Sequence, residues 1–150
     1  MSSFLVTGAD GQLGQCFRAV AAEFPNHHLI FTNSQEVDLA RPETLQYFFD
    51  TNPFSGIINC AAYTQVDQAE EESEKAHQIN AEGVQNLVNF TEENELFLVH
   101  FSTDYVFDGT ASVPYQETDQ CNPINVYGQS KYEGEQRMAQ AKCLNTTFRI

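Results

Sequence analysis

The sequence predicts an α/β domain built on a parallel sheet, and three observations carry that prediction. Short apolar runs alternate with longer amphipathic stretches along the 150 residues, the pattern of strands joined by crossover helices. The first apolar run leads directly into three closely spaced glycines, Gly8, Gly11 and Gly14, which open the first amphipathic stretch. With 41% hydrophobic residues at this length there is apolar material for one core, so a single domain over residues 1–150 is expected.

Residues 4–7 read as a buried first strand. Leu13, Phe17, Val20 and Phe24 follow at helical spacing until Pro25 and Asn26 end the pattern, and residues 28–32 form strand two. Pro42 suits the first turn of a second helix, where its missing N–H costs nothing, and Leu45, Phe48 and Phe49 follow on one face. Residues 56–60 are strand three. Residues 73–93 read as a longer helix with Ala76, Ile79, Val84, Leu87 and Val88 pointing inward. The unbroken apolar run at 96–101 suits a central fourth strand. Residues 104–126, with Gly109, Pro114, Asn122 and Pro123 and little periodicity, read as an ordered loop over a site. A helix over about 127–142 and a fifth strand over 146–150 complete the pattern. Right-handed crossovers then favour a Rossmann-type doubly wound sheet of order 3-2-1-4-5, truncated after its fifth strand. Ligands of such sheets lie beyond the carboxyl ends of the strands, which places the loops after Thr7, Thr32, Cys60 and Phe101 on one rim.

Composition narrows the function classes. Twenty-one acidic residues against seven basic ones give a formal charge of −14, which repels nucleic acid and anionic lipid alike. The four cysteines, Cys16, Cys60, Cys121 and Cys143, are scattered without metal or disulfide spacing, as expected of reduced thiols in the cytoplasm. No signal peptide precedes Gly8, and no apolar run approaches the roughly 20 residues that span a bilayer. The triplet Glu70-Glu71-Glu72, with Glu74, complements the positive end of the long helix rather than forming a metal site, and His27-His28 reads as a surface pair. No metal is expected.

Gly8-Ala9-Asp10-Gly11-Gln12-Leu13-Gly14 joins the first strand to the first helix as a pyrophosphate-binding turn requires. Its glycines permit a sharp turn and close approach, and the helix N-terminus offers N–H donors to an anion. The same residues can also form a ligand-free strand-helix turn. At the end of strand two, where an acid usually holds the ribose 2′-OH, Thr32-Asn33-Ser34 offers neither carboxylate nor arginine, so a 2′-phosphate is not rejected and NADPH or NADH is expected. Asp38 lies slightly further on, either near the adenine or as a turn residue.

Tyr127 and Lys131 stand one helical turn apart and project from one face. Reduction of a ketone needs a proton at oxygen, and a phenol of pKa about 10 serves poorly unless a cation such as Lys131 lowers it. Ser102 and Thr103 close strand four at the same rim, where a hydroxyl can polarise a carbonyl; strand alternation leaves one of them for that task.

In their order and wording, Thr7–Gly14, Asn59-Cys60-Ala61-Ala62-Tyr63-Thr64, the run from Ser102 to Gly109 and Asn125-Val126-Tyr127-Gly128 resemble the dTDP-4-dehydrorhamnose reductases of the extended short-chain dehydrogenase/reductase family. The resemblance implies reduction of the C4 ketone of dTDP-4-dehydro-L-rhamnose to dTDP-L-rhamnose with NADPH or NADH. It implies Tyr127 as proton donor, Lys131 at the nicotinamide ribose, and Thr103 orienting substrate beside Asp104. Gly8, Gly11, Gln12, Leu13 and Gly14 would meet the pyrophosphate, Asp38 and Leu39 the adenosine, and Ala62, Tyr63 and Thr64 the cofactor beside strand three. A cytoplasmic enzyme is expected, with a dTDP-sugar as substrate and a homodimer as the assembly. Related dehydratases carry an Asp-Glu pair after the threonine; Asp104-Tyr105 stands here, which favours simple reduction. A second relative, the regulatory β subunit of methionine adenosyltransferase, keeps this rim without catalysis and supplies the alternative of a cofactor-binding regulatory module. The family's substrate-binding part lies in later strands, so this chain alone is expected not to turn over.

Overall fold

A computed structural model describes residues 2–150. Five parallel strands, β1 (Ser2–Thr7), β2 (His27–Phe31), β3 (Gly56–Asn59), β4 (Phe97–Ser102) and β5 (Asn145–Arg149), form one sheet. The helices are α1 (Gln12–Val20), α2 (Pro42–Thr51), α3 (Val66–Ala69), α4 (Ser73–His77), α5 (Gly83–Glu93) and α6 (Val126–Gln140). The architecture is the Rossmann-type α/β sheet expected.

The strand order is β2-β1-β3-β4-β5 and not 3-2-1-4-5. The third strand crosses back over β1 instead of adding outside β2. Burial explains this. His27 and His28 are exposed and the rest of β2 is half-buried, an edge-strand pattern, whereas Leu5 and Val6 of β1 are fully enclosed and need a neighbour on each side. The order therefore reverses between β1 and β3, and that switch point fixes where a ligand crevice opens.

One face of the sheet carries α2, α5 and α6 over a core that includes Leu5, Leu45, Ile57, Leu87, Leu98 and Met138. The other carries α1, whose Phe17 ring lies 6.0 Å from Phe101, itself stacked on Phe148 at 5.7 Å. The apolar stripe expected over residues 13–24 is only partly enclosed: α1 ends at Val20, a 3-10 turn follows over Ala21–Glu23, and Val20 and Phe24 are exposed. Helix 73–93 runs as expected but contains a π-helical segment, Gln78–Glu82, between α4 and α5. The 104–126 loop is ordered by Asp108, whose carboxylate accepts from the Thr110 amide and hydroxyl, the Tyr115 hydroxyl and the Asn122 amide.

Candidate functional site

At the β1/β3 switch point a cleft of about 760 Å³ opens, within the range typical of cofactor sites. Gly8 turns the chain with φ of 64°, and a Cβ there would come 2.6 Å from the Ala61 nitrogen of the β3 rim. The Ala9 amide donates to Thr32 O at 3.0 Å, which ties the glycine loop to the end of β2. Helix α1 starts after Gly11 with no side-chain cap, so its first-turn N–H groups have no side-chain acceptor at the cleft. A dinucleotide pyrophosphate fits this cradle, since backbone approach and free donors coincide.

Of the residues expected at the site, Gly8, Gly11, Gln12, Leu13, Asp38, Leu39, Ala62, Thr64, Thr103, Tyr127 and Lys131 all line this cleft. Three do not. Gly14 instead lets α1 pack against Gly8 and Ala9. Tyr63 is buried with its ring among Ala69 and Ala76 and its hydroxyl donating to Glu72 at 2.7 Å, which together with burial pushes the phenol up to about 12. Asp104 is exposed and accepts from the Thr103 hydroxyl at 3.3 Å. Asp38 serves as a turn residue as well as a wall of the cleft: its carboxylate accepts from Ala40 N and pairs with Arg41 at 3.0 Å.

Helix α6 presents the tyrosine and the lysine. Asn125 caps it by accepting from Gly128 N at 2.7 Å, and Glu70 accepts from Val126 N at 2.9 Å. Gly128 lies so close to the Tyr105 carbonyl that a Cβ would collide with it, which sets the helix against the β4 rim. Lys131 is buried and donates to Phe101 O at 2.6 Å; desolvation lowers its pKa to about 8. Burial raises the Tyr127 phenol, the Thr103 hydroxyl draws it back in part, and Asp104 and Tyr105 push it up. The net direction for Tyr127 is upward, with burial the largest cause, where the sequence alone predicted a lowering by Lys131.

Sequence reasoning missed two polar clusters behind this site. Asn80, in the π-helical segment, accepts from Tyr63 N at 2.8 Å and donates to Tyr63 O and to Ser130 Oγ, so one buried amide links the β3 rim to α6. Asn59 Oδ1 accepts from the Thr7 hydroxyl and the Ala61 amide, which turns its NH₂ toward His100 Nδ1 at 3.0 Å. That fixes the imidazole as the Nε2–H tautomer. His100 Nε2 and Ser102 Oγ are buried without a hydrogen-bond partner, and desolvation and Lys131 hold the His100 pKa well below its ordinary value. The run at 96–101, expected from the sequence to be unbroken, contains His100, and that polar residue was the available signal.

Residues 1–150 match the RmlD substrate binding domain family. The chain belongs to that family. It is 42% identical over 146 residues to a dTDP-4-dehydrorhamnose reductase of Burkholderia thailandensis, covering 97% of this chain and 48% of the relative. A dTDP-4-dehydrorhamnose reductase of Aggregatibacter actinomycetemcomitans is 40% identical over 135 residues, 90% of this chain and 46% of the relative. Among solved structures, the dTDP-4-dehydrorhamnose reductase of Bacillus anthracis in complex with NADP superposes with a TM-score of 0.91 at 35% identity, over 99% of this chain and 52% of that one. The chain spans about half the length of the curated relatives it matches. NAD(P)H is the cofactor class these comparisons support, and no helix among the described residues is long and apolar enough to cross a membrane.

Proposed function

We propose that this chain supplies the cofactor cradle and the proton-transfer residues of an NAD(P)H-dependent reductase that converts the C4 ketone of dTDP-4-dehydro-L-rhamnose to the alcohol of dTDP-L-rhamnose. The observation that carries this reading is that Tyr127, Lys131 and Thr103 line the same cleft as the glycine loop. A reduced nicotinamide held by the glycine loop and Lys131 would supply a hydride to C4. Tyr127 gives its phenolic proton to the ketone oxygen as negative charge develops there, and solvent returns a proton to the phenolate. The Thr103 hydroxyl, beside Tyr127, orients the same oxygen, and Asp104, exposed outside the cleft wall, accepts from that hydroxyl at 3.3 Å and would meet the sugar only at the rim. Lys131, with a pKa of about 8, remains mostly cationic at neutral pH and holds the nicotinamide ribose. The relatives' remaining half would complete the sugar pocket, so the chain by itself binds cofactor without turnover.

The test follows reduced-nicotinamide absorbance with dTDP-4-dehydrorhamnose in the full-length protein and in Tyr127→Phe. Loss of the general acid is expected to lower kcat by about 100-fold or more. Equal turnover by both proteins overturns the mechanism. No turnover by either, with cofactor still bound, favours the regulatory module.

A further inference from the structure

Lys131 is the cation of the cleft, yet it is only 2% exposed, and burial disfavours its charge. Something must hold it charged. On the β4 side the Phe101 carbonyl accepts from the ammonium at 2.6 Å, and the buried His100 ring, whose protonation the lysine itself opposes, brings no charge. Asp104, in the turn after β4, is exposed and acts on the Tyr127 phenol. On α6, Tyr127 stands one turn before the lysine and Glu135 one turn after it, so the three lie along one face of the helix. From β5, Arg149 reaches this group through Glu135. The buried negative charge beside Lys131 is therefore that of Glu135.

The position of this carboxylate is fixed from several sides. Gly134 packs so tightly on the Asn80 carbonyl that a Cβ would collide with it, which sets the rotation of α6 and leaves Glu135 only 9% exposed. Both carboxylate oxygens accept from Arg149, at 2.9 and 2.7 Å, and Arg149 donates further to Glu117 O and to Cys121 Sγ, each at 3.3 Å. Among the described residues Lys131 pairs with no carboxylate directly. Glu135 acts on it through space, drawing its pKa up against the burial that lowers it to about 8. A carboxylate in contact with the ammonium would compete for the N–H groups that a ribose needs. One held off by an arginine supplies charge without taking those donors, and the arginine offsets part of that charge.

We infer that Glu135, anchored by Arg149, is a positioning residue that keeps the buried Lys131 cationic and its donors free for the cofactor, with Arg149 setting how strongly it does so. The inference rests on the cofactor-binding reading above and specifies what maintains the lysine of that cleft.

The experiment follows the lysine side chains directly. The chain has three lysines, Lys75, Lys131 and Lys142, so carbon NMR of protein labelled at lysine Cε, titrated from about pH 6 to 11, resolves Lys131 as the signal missing in Lys131→Met. Its midpoint is expected near 8 in the unaltered chain. Glu135→Gln, which keeps an acceptor for Arg149, should move it down by about one pH unit, a tenfold change in protonation and the size of one screened charge-charge interaction. Arg149→Gln, which leaves the carboxylate unopposed, should move it up. NADPH binding, read by nicotinamide fluorescence on the same samples, should weaken as Lys131 loses its proton, starting about one pH unit lower in Glu135→Gln. Thermal melts check that each variant folds, and if Glu135→Gln does not, the direction of the Arg149→Gln shift decides alone. Midpoints that stay in place, or that move in the same direction in both variants, reduce the pair to a structural contact and overturn the inference while leaving the cofactor site intact. Failure of the unaltered chain to bind NADPH or NADH at any pH overturns the cofactor-binding reading, and with it the role of the pair in that cleft.

Discussion

Gly8 shows how far a single residue constrains the site. Its φ of 64° belongs to the left-handed region, and a Cβ would meet the backbone of Cys60 and Ala61, which cannot yield without moving β3. Gly8→Ala is expected to cost about 2 kcal/mol or more through strain and collision, measured by urea unfolding, and to abolish NADH binding in the same sample. Wild-type affinity in a destabilised variant would show that the cradle lies elsewhere. This residue was legible in the sequence because a glycine at a strand-helix junction marks a sharp turn that a side chain would not allow. Tyr63 was not: it adjoins cleft residues in sequence, but Asn80 holds its backbone N–H and C=O while its ring lies among Ala69 and Ala76 and its hydroxyl reaches Glu72.

Among the elements, α6 and β5 are joined by an ion pair of fork geometry. Arg149 Nε donates to Glu135 Oε1 at 2.9 Å and its Nη2 to Oε2 at 2.7 Å, with the guanidinium 5.1 Å from the Phe107 ring centre. Glu135 is nearly enclosed, so removing its partner strands a carboxylate. Arg149→Ala is expected to destabilise by about 1–3 kcal/mol, less than a fully buried pair because Arg149 is partly solvated, whereas Arg149→Ala in a Glu135→Gln background costs less. Additive losses in that double-mutant cycle, read by urea unfolding, would remove the pair from the account. Element positions were mostly legible from periodicity. The π-helical segment was written there too: Ala76, Ile79, Val84 and Leu87 step by three, five and three, and the step of five marks the extra residue that the Gln78–Glu82 turn absorbs. That wide turn is what points Asn80 at both Tyr63 and Ser130.

For the whole molecule, handedness rules restrict how strands connect but leave open the side on which β3 docks; the exposed His27 and His28 of β2 decide it. The same sheet buries groups whose protonation then couples to folding. His100 has a folded pKa well below 6.5, held down by burial and by Lys131, so the unfolded chain binds its proton first and stability falls as pH drops below about 6.5. Lys131, lowered from 10.5 to about 8, has the same sign: stability rises as pH climbs through that window. Cys60 and Tyr63, both pushed up to about 12 by burial, act oppositely, because the unfolded thiol and phenol ionise first as pH passes their ordinary values of 9.0 and 10.0. Greatest stability is therefore expected between neutrality and about pH 9, with an acid flank that belongs to His100 before the carboxylates titrate. Urea unfolding at intervals from pH 5 to 7 should show stability declining toward pH 5 by up to about 1.4 kcal/mol per pH unit, the most one proton can contribute. His100→Gln, which keeps an amide facing Asn59 and removes the titrating ring, should flatten that decline. An unchanged slope in the variant would assign the acid flank to other groups and place His100 outside the linkage.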